Sequence, residues 1–149
     1  MPNPVASPLT LVMTIKSEKD YRELKALLEN MQSLPPDKNP IAVALTNLSI
    51  VHFARFVFLS ESQLAVITSF DGSFDDYIDA FVNNIGIVFD QLLAHMKDAP
   101  RLPVSDHREE FLSYVNNHDL KCVTPFYSAY PSLTVLDILT LQEQQSESG

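Results

Sequence analysis

Residues 49–70 read SIVHFARFVFLSESQLAVITSF. Two runs rich in Val, Ile and Phe, residues 49–59 and 63–70, are separated by Ser60, Glu61 and Ser62. β-Branched and aromatic side chains suit a pleated, half-buried surface, so this stretch predicts a β-hairpin. Side chains alternate along a strand. In the first run Phe53, Arg55, Val57 and Leu59 should therefore point one way, and His52, Ala54, Phe56 and Phe58 the other. Both rows are largely apolar, so both faces of the sheet call for a cover.

Upstream of the hairpin, residues 9–15 predict a half-buried strand. Ser17 and Asp20 stand at capping-box spacing, and Tyr21, Leu24, Leu27, Leu28, Met31 and Leu34 form one helical face ended by Pro35 and Pro36. Residues 33–40 read as a loop and residues 41–48 as a helical turn into the hairpin. Downstream, Asp71 and Gly72 end the hairpin, and Ser73 with Asp76 opens a helix. The stripe of that helix, from Tyr77 to Met96, is broad enough for deep burial, with Gly86 permitting a close approach. After Pro100 and Pro103, Asp106 with Glu109 would cap a short helix that turns Phe111, Leu112 and Val115 inward. Residues 120–130 read as a last strand, placed at an edge or a bulge by Pro125. Thr134 with Asp137 caps a final helix through Leu141.

The resulting order predicts a single α+β domain over residues 9–141, with a ferredoxin-like β-α-β-β-α-β core, a helical insertion and a C-terminal helix. Residues 1–8 and 142–149 are expected to be flexible ends. The helices of such a core cover one face of an antiparallel sheet. A second copy of the same sheet is the economical cover for the other, which predicts a homodimer enclosing a barrel-like interior.

Composition narrows the function classes. Of 149 residues, 46% are hydrophobic and 19% charged, which supports a sizeable core. Lys and Arg total 10 against 19 Asp and Glu, a net charge of -9 without basic clusters. Phosphate contacts need clustered cations, so neither nucleic acid nor an anionic membrane surface is an expected partner. Residues 41–59 are apolar enough to raise a membrane span, but they contain Asn47, His52 and Arg55. One mid-helix Arg alone costs about 2.5–3.5 kcal/mol on insertion. With Lys16 the first basic residue and Pro2, Pro4 and Pro8 before it, no secretory signal is read, and a cytoplasmic location is expected. Cys122, the single cysteine, can form no intrachain disulfide, and three glycines leave no phosphate-binding loop.

Polar groups inside apolar strands are the candidate site residues. Arg55 is costly to bury unless paired. Either it forms a structural ion pair with Asp71, with Asp75 and Asp76 nearby, or it clamps an anion in a pocket. His52 could be a general base or a metal ligand but has no partner at metal-binding spacing, and a hydrogen-bonded strand histidine is the plainer reading. Tyr127 and Tyr130, flanking Ser128, could orient a polar ligand group or sit as core rings. His95 suits a helix C-terminus, where an imidazolium is favoured; an axial haem ligand there would need an open cavity. His107 and His118 read as solvated, and Asp75, Asp76 and Asp79 as the wet face of a helix. These residues predict a pocket containing His52, Arg55, Asp71, Tyr127 and Tyr130, suited to an apolar or acyl-type molecule with a carboxylate or carbonyl head. No metal is expected.

The run His52-Phe53-Ala54-Arg55-Phe56 resembles a motif of a group of uncharacterised bacterial proteins. So do Ser69-Phe70-Asp71-Gly72-Ser73 with Tyr77 and Phe81, and Phe126-Tyr127-Ser128-Ala129-Tyr130-Pro131 with Thr134 and Val135. In that group the helix holding His95 tends to continue with a Cys or acidic residue and a Gly before a proline. His95 and Pro100 fit, whereas Met96-Lys97-Asp98-Ala99 departs. The architecture is similar to the dimeric α+β barrel superfamily, which implies a homodimer and, as alternatives to simple binding, cofactor-free or haem-dependent oxidoreductase chemistry. An interaction protein without a ligand is the third class.

Overall fold

A computed structural model describes residues 3–148. The elements in order are β1 (Ala6–Thr14), α1 (Glu18–Gln32), α2 (Pro40–Leu48), β2 (Val51–Ser60), β3 (Gln63–Asp71), α3 (Phe74–Leu93), a 3-10 turn (Val104–Asp106), α4 (Arg108–His118) and α5 (Val135–Ser148). The sheet has three antiparallel strands in the order β1-β3-β2. β1 and β2 both run against the central β3, so they are parallel to one another with β3 between them.

The hairpin forms as its residue types dictate, with Phe58 opposite Leu64, Phe56 opposite Val66 and Ala54 opposite Thr68. On β1, Leu9, Leu11 and Met13 face Thr68, Val66 and Leu64. These rows pack against the helices. Tyr21 of α1 meets Phe58 edge-on at 5.0 Å, Phe89 of α3 lies 6.3 Å from Phe56, and Tyr77 stacks on Phe70 at 4.0 Å. The Tyr77 hydroxyl hydrogen-bonds Thr68 Oγ1 at 3.0 Å, and burial pushes its pKa up to about 12. Gly86 lets α3 approach the 3-10 turn, since a Cβ there would meet Val104 at 3.4 Å.

Helix starts follow the caps read from sequence. Ser17 accepts from the Asp20 amide, Ser73 from that of Asp76, and Thr134 and Asp137 each accept the other's backbone N–H. Asp106 does not cap α4. It lies in the 3-10 turn after Pro103, and His107 takes the N-cap position with no side-chain bond.

Residues 120–130 form no strand, which corrects the expected fourth strand. In place of a strand beside β1 there is an isolated bridge, Leu11 with Asp119, and the Leu120 amide donates to the Thr10 carbonyl at 2.8 Å. Beyond it the chain peels away. Pro125 lacks a ladder donor, and residues 120–125 are exposed, so no buried area offsets the ordering of a strand. α5 also runs past Leu141 to Ser148, and β1 starts at Ala6, ahead of the boundaries read from sequence. Among the described residues no helix is long and apolar enough to cross a membrane.

Candidate functional site

β2 carries a bulge. Val51 lies opposite Phe70 and Phe53 opposite Ser69, leaving His52 without a partner in the register. An extra residue on one strand breaks the alternation and re-aims a side chain. His52 therefore leaves the row of Ala54, Phe56 and Phe58, and its Nε2 stands 2.7 Å from Asp71 Oδ1 at the end of β3. A carboxylate only accepts, so Nε2 carries the proton. The second oxygen of Asp71 accepts from the Val135 amide, the first residue of α5, at 2.7 Å. One carboxylate thus ties the bulge, the end of β3 and the start of α5. The side chains of His52 and Asp71 are only 12% and 11% exposed.

Beside this pair lies a cavity of about 860 Å3. Its walls come from the C-terminal half of α2, the start of β2, Ser69 of β3, residues 126–130, and Val135, Ile138 and Leu139 of α5. α2 reaches it because Asn39 caps the helix, accepting from the Ile41 amide, and because Ser49 in the left-handed region (φ 55°) turns the chain into β2. The wall is mainly apolar, with His52, Thr46, Ser49, Ser69, Ser128, Tyr127 and Tyr130 as its polar members. No Lys or Arg lines it.

The structure gathers His52, Tyr127 and Tyr130 around the cavity, with Asp71 directly behind His52. It does not bring Arg55 there. Arg55 lies opposite Ile67, is exposed, and makes no ion pair among the described residues. At its position on the edge strand β2 water reaches the guanidinium and no buried partner is required. Both the ion pair with Asp71 and the anion clamp are corrected by this placement. Tyr127 and Tyr130 are not core rings either, being 81% and 63% exposed on a segment that left the sheet. Thr46, Ser49 and Leu139 were missed in sequence; the only signal for α2 was its apolar run after two prolines.

The other candidates sit elsewhere. His95, just beyond α3, holds Asp20 of α1 through Nδ1 at 2.9 Å, with Glu23 at 3.8 Å. The Ser17 hydroxyl and His95 together hold the Asp20 carboxyl below its usual range. His95 is not a wall residue of the cavity. Asp20, Glu23 and His95 offer three ligand atoms within 4.8 Å of one another, but the nitrogen is already engaged and Asp20 sits in the first turn of α1, where the backbone dipole disfavours a cation. His118 is half-buried, its Nδ1 bonded to the Tyr114 carbonyl and its ring 4.1 Å from that of Tyr114. It is therefore not the solvated group expected. Asp75 and Asp79 are not merely solvated; Arg108 of α4 bonds both. Cys122 is exposed and free. Comparison of the chain with protein-family models, with curated proteins and with solved structures found no match in any of the three.

Proposed function

We propose that this protein binds a small, largely apolar molecule in the cavity beside His52, and that it does so as a homodimer. The observation that carries the first part is the cavity itself: about 860 Å3, apolar in most of its wall, with polar groups of α2, β2, β3 and residues 127–130 among its lining. Sites for small molecules have this size and make-up. The head group that fits is neutral, a carbonyl or hydroxyl, because no cation lines the wall and the chain carries a net charge of -9. A carboxylate head, the expectation that rested on Arg55, loses its anchor.

A specific observation favours the second part. Outside the cavity wall Leu59 of β2 is 53% exposed, and Leu136 and Leu141 of α5 are exposed as well, while Phe53, 80% exposed, stands at the cavity itself. Exposed large apolar side chains of this kind suit an interaction surface. A second copy is the occupant we infer, since two-fold homodimers are the commonest assembly and a sheet face matches its own image. The haem-dependent alternative draws no support from His95, which is engaged by Asp20 outside the cavity.

Native mass spectrometry of gently purified protein tests both parts. The expected spectrum is a dimer carrying a co-purified organic molecule of a few hundred daltons. Ala54→Trp, which fills the cavity wall, should lose the extra mass but keep the dimer, whereas Leu59→Glu, outside the wall, should yield monomer. A ligand-free dimer that also fails to bind any member of an apolar carbonyl library would leave the interaction-protein reading in its place.

A further inference from the structure

The cavity holds one acid–base group that simple binding does not use. Nε2 of His52 is committed to Asp71, while its other ring nitrogen, Nδ1, makes no hydrogen bond among the described residues. In the neutral ring that nitrogen carries the lone pair. The ring cannot easily rotate away, because Asp71 is itself fixed by the Val135 amide through its second oxygen. Both side chains are nearly shielded from water, and the ring forms part of the cavity wall. A base in the wall of an apolar cavity, held in one tautomer by a buried carboxylate and with its second nitrogen unbonded, is the arrangement that general-base catalysis uses.

We propose that His52 is a general base acting on the bound molecule, with Asp71 as its positioning residue, and that the substrate class is an apolar carbonyl compound with an acidic neighbouring C–H. This rests on the cavity being a small-molecule site. In the step, the C–H bond breaks and its proton passes to Nδ1. The electron pair becomes the new C=C bond, and the carbonyl π pair moves to oxygen, where a hydroxyl of the cavity, such as Ser69, donates to it. Asp71 stabilises the imidazolium. In a β,γ-unsaturated carbonyl compound the electron pair is shared with the γ-carbon, and return of the proton there moves the double bond into conjugation, an isomerisation in which the atoms balance with no oxidant or co-reactant.

The probe is 5-nitrobenzisoxazole, an apolar bicycle whose C3–H is removed by a base as its N–O bond breaks, giving a coloured cyanonitrophenolate. Binding is followed separately by ligand-observed NMR with the unreactive 5-nitroindazole. The wild-type protein should bind the indazole and eliminate the benzisoxazole, and His52→Gln should bind equally while losing about 100-fold in rate, the scale of one proton-transfer group. Ala54→Trp should lose both binding and elimination with the pair intact. Asp71→Asn should slow elimination and also move the His52 ring 15N shifts away from a single Nε2–H tautomer, a signature that a merely structural tie would not give. Equal rates in wild type and His52→Gln with binding retained would overturn the base and leave the binding site standing. Absence of indazole binding and of elimination would overturn the binding site and the base with it. Elimination that survives Ala54→Trp would also overturn the assignment.

Discussion

The helix-covered body of the molecule and its C-terminal segment are built on opposite terms. In the body, Leu64, Met13, Leu24, Leu92 and Leu93 are fully buried, and the rings of Phe70, Tyr77, Phe81, Phe89 and Phe111 touch in sequence. Among the described residues from 120 onward none is fully buried; Val123 is 98% exposed and Leu136 59%. The hydrogen bonds that tie that segment to the body include Leu120 to Thr10, the Val5 amide to the Pro131 carbonyl, and Val135 to Asp71. Burial of area stabilises the first region, while the second depends on directional bonds that each contribute about 1 kcal/mol. A site walled by both regions has one rigid side and one that can adapt.

The sharpest break of this contrast would come from truncating one side chain in each region. Phe89→Ala should cost about 3–5 kcal/mol in urea denaturation, since the ring contacts Phe81, Phe56 and Phe111 and its loss leaves a cavity. Leu136→Ala should stay within about 0.5 kcal/mol at concentrations that favour monomer. Comparable losses would refute the division.

Two helix caps offer a finer comparison. Ser73→Ala and Thr134→Ala each remove one side-chain acceptor, a loss of about 1 kcal/mol at its helix. For Ser73 the loss should appear in global stability, because α3 unfolds only with the core. For Thr134 it should appear as faster amide exchange confined to α5. Uniform exchange across the chain in Thr134→Ala would mean that α5 is part of the cooperative unit.

Acid titration should give the smallest effect. Arg101 holds the Glu110 carboxyl at about 2, against an ordinary 4.5, mainly by side-chain and backbone hydrogen bonds. The folded value is depressed, so the pair favours the folded state above about pH 4.5, and its contribution fades as the pH falls toward 2. In the C-terminal segment the Thr134 backbone and hydroxyl lower Asp137 in the same sense. Carboxyl 13C shifts through the titration check both; a Glu110 midpoint near 4.5 would show that the Arg101 bonds do not persist in water.

The hairpin, the three capped helices and the depth of α3 were legible because each rests on a local pattern: alternating apolar residues, a Ser or Thr three residues before an acid, a broad 3.6-residue stripe. The fourth strand was misread because residues 120–130 have strand-like composition, while what decides strand formation is whether a partner face is available to bury them. α5 was cut short at Leu141 since the apolar period stops there, although Gln142, Glu143, Gln144 and Gln145 are sound helix formers with nothing to end the helix. His52, Tyr127 and Tyr130, singled out as polar groups near apolar strands, line one cavity, with Asp71 bonded to His52. Their pairing was not legible, because a bulge leaves no mark in composition yet exchanges which residue meets Asp71.

The strand order has a consequence for how the chain comes to be folded as it is made. β1 is synthesised early, but its partner residues begin at Gln63 and its bridge lies at Asp119. Until β3 emerges, Leu9, Leu11 and Met13 have no sheet to join. The hairpin of β2 and β3, joined by a two-residue turn, is the first long piece that can close locally, and β1 must return across two finished helices to meet it. Such long loop closures slow folding. The order of assembly therefore runs from the middle of the chain outward, with the N-terminal strand waiting for the hairpin and the segment after Asp119 arriving last.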